Sequence, residues 1–213
     1  MNIVLPDGSV KEIAEGSSAL DLAKSISPRL AQAAVAATIN GKAADLTSIL
    51  HDNDTVSILT FDSPEGKAVF WHSSSHLVAQ AVQQLFPDAK IAIGPAIENG
   101  FYYDFDVEKP FTPEDLQKIE SKAKELASAK TEIKRKEISA ADARDYFKSK
   151  NEIYKLELLD DIEGAPSMYS QGDWTDLCRG PHLPNTGYIK AIKLLSAAGA
   201  YWRGSEKNRM LQR

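Results

Sequence analysis

The stretch Asp62-Ser63-Pro64-Glu65-Gly66 constrains the fold more than any other part of this sequence. Proline fixes φ and removes a donor, glycine loosens the chain, and the other three side chains are polar. The segment therefore reads as a linker. It predicts a small domain over residues 1–61 and a larger one over 62–213. A chain of this length can bury a core in each part.

The first part reads as a compact alternation. Ile3–Leu5, the turn Pro6-Asp7-Gly8 and Val10–Ile13 form a hairpin signal. Ser18 is placed to cap a helix with Leu20, Ala23 and Ile26 on its apolar face, and Ser27-Pro28 reads as its stop. Ala34–Ile39, ended by Asn40-Gly41, and Val56–Phe61 follow as strands. Hairpin, crossing helix, then more strands is the order of a β-grasp domain. These residues hold no nucleophile–base set, and their one histidine, His51, lies in a polar turn where solvation is expected.

Beyond Gly66 the pattern becomes mixed α+β. Trp71–Phe86 has helical apolar spacing at Val78, Ala79, Val82 and Leu85. Asn99-Gly100 is a hairpin turn inside Ile97–Asp106. Thr112-Pro113-Glu114 opens a helix with a cap, proline at the first position and acids in the first turn. Ser139 starts another helix that runs through Phe147, and from Met168 short strands alternate with glycine turns.

Composition excludes several classes. No basic n-region precedes an apolar stretch at the N-terminus, and no run reaches the ~18 apolar residues of a spanning helix. The sequence thus predicts neither secretion nor a membrane partner. Cys178 is the only cysteine, so an internal disulfide cannot form and a reducing, cytoplasmic compartment is expected. The net charge of −5 argues weakly against nucleic acid. Its distribution says more, since residues 190–213 carry six cations against the single acid Glu206.

Three of the four histidines and the lone cysteine fall into two pairs. His72 and His76 in WHSSSH are four apart on one helix face, and Cys178 and His182 in DLCRGPH are four apart across Gly-Pro. Two readings are open. The four can be a tetrahedral zinc set, or a polar pocket in which imidazoles orient and activate water. Either histidine alone would more often be a satisfied core or surface residue, and a lone cysteine behaves as a small hydrophobe. It is the paired spacing that points to a site. A Cys178–His182 nucleophilic pair ranks lower, because no third group is placed to orient the histidine. Lys155 in IYKLELL is either a buried proton acceptor or a lysine that snorkels to solvent. Asp176 is either an orienting acid or a turn residue. Tyr103, alternating with Phe101 and Phe105, is core or site.

Together LPDGSV, WHSSSHLVAQA, IGPAIENGFYYDFD, YKLELL, DLCRGPHLPNTG and SAAGAYWRG make the chain resemble the N-terminal part of bacterial threonyl-tRNA synthetases over essentially all of its length. The resemblance implies a TGS domain at 1–61, a ubiquitin-like β-grasp. It also implies an editing domain, shared in outline with alanyl-tRNA synthetases, at 62–213. The ending EKNRMLQR suggests a chain cut before the ATP-using catalytic domain, where ATP, magnesium and zinc would be needed. The full enzyme would be a homodimer and this piece a monomer.

The implied reaction is hydrolysis of the ester in mischarged seryl-tRNA(Thr), with tRNA(Thr) as partner and no DNA. One missing methyl group allows only roughly 10–200-fold discrimination at the charging site, so a second pocket would destroy the wrong product. In that scheme His72 and Lys155 are the catalytic pair that positions and deprotonates water. His76, Cys178 and His182 line the pocket, Asp176 meets the substrate ammonium and Tyr103 touches the sugar or ester. No metal is expected in the editing reaction, although the same four side chains would accept zinc. The alternative is a zinc-stabilised RNA-binding module without catalysis.

Overall fold

The β-grasp order expected for the N-terminal residues is the order the computed structural model shows; it describes all residues from Met1 to Arg213. The chain divides into two units, Met1–Phe70 with Gly180–Pro184, and Trp71–Arg179 with Asn185–Arg213.

In the first unit, β1 (Asn2–Val4) and β2 (Val10–Glu12) pair antiparallel across the expected turn. Helices α1 (Ala19–Ile26) and α2 (Pro28–Ala33) follow, then β3 (Ala34–Ile39), β4 (Lys42–Ala44) and β5 (Val56–Thr60), in the sheet order β4-β3-β5. A parallel bridge between Val4 and Thr55 sets β1 alongside the entry to β5, which closes the β-grasp sheet. Ser18 and Asp21 form a capping box at the start of α1. An N-cap of this kind is worth about 1 kcal/mol. The helix buries Ala19, Leu22 and Ala23 against Ile3, Leu46, Leu50 and Val56. The side chain of His51 is exposed, as its polar turn suggests.

The expected linker is not a linker. Helix α3 runs from Pro64 to Leu85, and the Ser63 hydroxyl accepts the Gly66 N–H at 3.0 Å, so Ser63 caps it and Pro64 occupies its first turn. Gly66 serves close approach rather than looseness: a Cβ there would lie 1.9 Å from the Thr60 carbonyl oxygen. Ser27-Pro28 behaves in the same way. Ser27 ends α1 and also caps α2, with Pro28 at its first position.

The second unit is mixed α+β. Its strands are β6 (Lys90–Ile91), β7 (Ala96–Ile97), β8 (Gly100–Phe101), β9 (Phe105–Asp106), β10 (Ile133–Glu137), β11 (Ser167–Gln171), β12 (Trp174–Leu177), β13 (Gly199–Tyr201) and β14 (Met210–Gln212). Its helices are α4 (Pro113–Ser128), α5 (Ala140–Ser149), α6 (Ile153–Asp160) and the part of α3 from Trp71 onward. The sheets are β13-β14-β9-β6, β10-β11-β12 and the small β7-β8 hairpin. The hairpin's turn is Glu98-Asn99, one residue before the expected Asn99-Gly100, because Gly100 pairs with Ile97 as the first residue of β8. Thr112 and Ser139 cap α4 and α5 as their sequences suggest. No helix is long and apolar enough to cross a membrane.

A candidate active site on the second unit

Helix α3 presents His72 and His76 one turn apart, with ring centroids 4.7 Å apart in an edge-to-face arrangement. This is the geometry their spacing predicts. The β12 end brings Cys178 to them. His72 Nε2 and Cys178 Sγ are 3.0 Å apart, although 106 residues separate them in sequence. The donor atoms of His72, His76 and Cys178 lie within 4.8 Å of one another.

The orientation of His72 is set by the main chain. Its Nδ1 lies 3.0 Å from the Gly94 carbonyl oxygen. A carbonyl can only accept, so Nδ1 carries the proton and Nε2 is left as an acceptor facing the thiol. The Ser75 hydroxyl donates to the same carbonyl at 2.6 Å. Only glycine fits at position 94, because a Cβ would stand 2.1 Å from the Tyr103 ring. Burial lowers the His72 pKa below its ordinary 6.5, opposed by the Gly94 hydrogen bond and the Asp176 charge. The imidazole is thus neutral at physiological pH, the form a general base requires.

Beside the imidazoles lies a buried ionic network. Lys155 on α6 is only 2% exposed, so it does not snorkel to solvent. Its Nζ is 2.8 Å from Asp176 Oδ1 and 3.0 Å from Oδ2. Tyr103 donates its hydroxyl to Asp176 Oδ2 at 2.8 Å, and the Leu177 N–H donates to Oδ1 at 2.7 Å. His76 Nδ1 stands 3.6 Å from the same carboxylate. Burial, followed by the Asp176 charge, raises the Tyr103 pKa well above its ordinary value, so the phenol stays protonated and acts as a donor. Tyr103 also stacks on Phe105 at 5.0 Å. It therefore serves core and site at once.

A second polar chain flanks the network and was not signalled by the sequence. Trp174 Nε1 donates to Gln83 Oε1 at 2.7 Å, Gln83 Nε2 donates to Glu152 Oε1 at 2.5 Å, and the Ile91 N–H donates to Glu152 Oε2 at 3.0 Å. The Trp174 ring meets His76 edge-on, with centroids 5.7 Å apart. Glu152 sits one helical turn before Lys155, and this spacing is the only hint the sequence offers of its proximity.

A cleft of about 640 Å³ opens beside Cys178, with Arg135 and Arg179 but also Asp161 and Glu163 among its walls. That volume suits a small-molecule or nucleotide-sized group. His182 is buried in the 180–184 stretch assigned to the first unit, where its main-chain N–H donates to Asp45 Oδ1 at 2.8 Å.

Imidazole nitrogen and thiolate sulfur are the donors zinc prefers, and the Gly94 carbonyl on Nδ1 is the partner a metal-bound histidine usually has. With bonds of about 2.0 Å to nitrogen and 2.3 Å to sulfur, two zinc ligands would stand about 3.5 Å apart. The 3.0 Å contact between His72 and Cys178 is that of a hydrogen bond. The donor set suits zinc in kind, and its side chains lie close enough to share one ion.

Known proteins divide the chain in a similar way. Residues 1–60 match the TGS domain, and residues 167–213 match the threonyl and alanyl tRNA synthetase second additional domain. The whole chain is 58% identical to a threonine–tRNA ligase of Geobacter sp. strain M21, 56% identical to one of Pelobacter propionicus and 52% identical to one of Parabacteroides distasonis. It spans about a third of the length of these curated relatives: 34% of the first two and 33% of the third. The chain belongs to the threonine–tRNA ligase family, and it corresponds to the N-terminal part of those proteins, a TGS domain followed by the second additional domain.

Proposed function

We propose that this chain proofreads: it hydrolyses the ester of seryl-tRNA(Thr) and spares threonyl-tRNA(Thr), as the editing part of a cytoplasmic threonine–tRNA ligase. The observation that carries the proposal is the neutral, main-chain-oriented imidazole of His72, held beside a buried Lys155–Asp176–Tyr103 network in a domain of the threonyl and alanyl type.

Once an attacking water displaces the Cys178 thiol from His72 Nε2, that nitrogen takes the water's proton. The water oxygen bonds to the ester carbonyl carbon, and the C–O bond to the ribose then breaks. The proton passes to the departing ribose oxygen, leaving serine and free tRNA. Lys155 acts as a donor rather than an acceptor, since its ammonium already faces a carboxylate and a phenol. It is suited to stabilise the oxyanion of the tetrahedral intermediate. Asp176 holds Lys155 and Tyr103 in place. Both its oxygens already accept hydrogen bonds, so a substrate ammonium could be received only as an additional partner. His76 and Cys178 complete the pocket wall on this unit. The cleft at Cys178, with Arg135 and Arg179, suits the terminal nucleotide.

The test is a deacylation assay on both esters across pH, with and without a chelator. Serine-specific hydrolysis is expected, with the acid limb of kcat/KM centred below pH 6.5, because burial keeps His72 neutral there. Equal hydrolysis of the two esters, or none of either, would sink the proposal. The zinc-favouring donor set supports a second reading, a metal-stabilised RNA-binding module. That reading predicts no hydrolysis and loss of the fold on chelation.

A further inference from the structure

Away from the imidazoles, the C-terminal end of α4 and the segment after the 3₁₀ turn Thr186–Tyr188 enclose a groove of about 420 Å³. Its walls carry Lys124, Lys130 and Lys190, its floor includes Ile189 and Ile192, and no acidic residue lines it. All three lysines are exposed; Lys130 and Lys190 have no carboxylate partner, and Lys124 feels the Glu120 charge without a close ion pair. Their neighbours differ. Lys118 pairs with Asp115, Lys122 with Glu125 and Lys193 with Glu120. In a chain with a net charge of −5, three cations converging on one groove, none in a close ion pair, call for an explanation.

Compensation of the α4 dipole is not a sufficient one. The carbonyls of the last helical turns already accept bonds from the Ser128 hydroxyl, the Thr186 hydroxyl and the Lys130 N–H. The Lys190 ammonium is held over the groove by the Gly187 carbonyl at 2.5 Å. Lys130 is anchored at φ +52°, with its stem against Gly187, where a Cβ would come within 2.6 Å of it. Lys130 and Lys190 are therefore placed by the main chain around an apolar floor, with Lys124 beside them on α4, leaving their remaining hydrogens for a ligand.

We propose that this groove binds the phosphodiester backbone of the RNA whose 3′ end enters the editing pocket, as a second point of contact. The inference rests on the tRNA reading and extends it. Point-like ammonium groups without an arginine fork suit successive phosphates, and they neutralise charge without reading bases. Three neutralised phosphates contribute about 2.7 to the slope of log K against log salt on duplex RNA, if it behaves as duplex DNA does.

The experiment measures binding of unacylated tRNA(Thr) over a potassium chloride series. It compares the chain with the Lys124→Gln/Lys130→Gln/Lys190→Gln triple variant and with the corresponding triple arginine variant. The glutamine variant should lose about tenfold or more in affinity and about 2–3 units of salt slope, and the arginine variant should retain both. Hydrolysis of seryl-adenosine, which lacks a phosphate backbone, should be the same in all three. An unchanged slope in the glutamine variant would overturn the proposal. So would equal competition by polyglutamate at matched charge, which would identify an acidic-peptide site. Because binding is read with unacylated RNA, absence of ester hydrolysis would count against the editing reading and leave this measurement intact.

Discussion

Replacing His72 with alanine is expected to slow hydrolysis of seryl-tRNA(Thr) by about 10²–10⁴-fold, the usual contribution of a positioned general base. The ring combines a neutral state at pH 7 with a fixed acceptor nitrogen in the site. The loss should fall on kcat, since truncation leaves the Lys155–Asp176–Tyr103 network and the cleft at Cys178 in place. Single-turnover deacylation with saturating enzyme reads this directly. A loss under threefold would remove His72 from the reaction. The Cys178→Ala variant separates two roles for the short sulfur contact. If Cys178 only shapes the wall, hydrolysis survives; if it is the nucleophile activated by His72, hydrolysis fails with it. Protonation adds a stability signature. Above pH 6.5 His72 is neutral both folded and unfolded. Below it the unfolded chain binds the proton first, so this group's share of stability falls as pH drops.

The largest effect on stability is expected from Asp176→Ala. The carboxylate is fully buried, and its removal strands the Lys155 ammonium, itself 2% exposed, with only the Tyr103 hydroxyl as partner. Removing one member of a buried pair costs about 3–5 kcal/mol. For a chain of this size that corresponds to a Tm lower by about 6–20 °C. Substituting Lys155→Met in the same chain should recover much of the loss, because an apolar pair replaces an orphaned charge. Thermal melts of the two single variants and the double variant would show the coupling. Additive effects of the two substitutions would mean that the pair contributes little.

The helix starts show what local sequence can reveal. Ser27-Pro28, Ser63-Pro64 and Thr112-Pro113 all begin helices in the same way, with a hydroxyl cap followed by proline in the first turn. Thr112-Pro113 is recognisable because acids and a clear apolar stripe follow it. Ser27-Pro28 reads as a stop because a helix does end there; the six-residue α2 that follows buries no residue and leaves no periodic trace. Ser63-Pro64 reads as a linker because Gly66 suggests looseness, whereas the true reason for Gly66 is the Thr60 carbonyl, a tertiary contact. Strand β10 was hidden for the opposite reason: four of its five residues are exposed and charged, so no alternation marks it.

The site divides along the same line. His72 and His76 are one helical turn apart, so their contact is written locally. The approach of Cys178 to His72 depends on how β12 meets α3, and spacing within either segment says nothing about it. The burial of Lys155 is likewise a property of the packed unit. Gly94, Gln83 and Glu152 act through a carbonyl, an amide and a carboxylate met only after folding. A glycine beside a proline reads as a turn and nothing more.

The Gly94 carbonyl has an evolutionary consequence. In many hydrolases a carboxylate side chain orients the basic histidine, and one substitution there can abolish activity. Here the orienting oxygen belongs to the peptide backbone, and every amino acid supplies it. The tautomer of His72 thus depends on no particular side chain at its support. The vulnerability moves to the space above residue 94, where a single added methyl group would collide with Tyr103. A lineage could vary its pocket walls widely and keep this imidazole oriented, provided that one position stays bare.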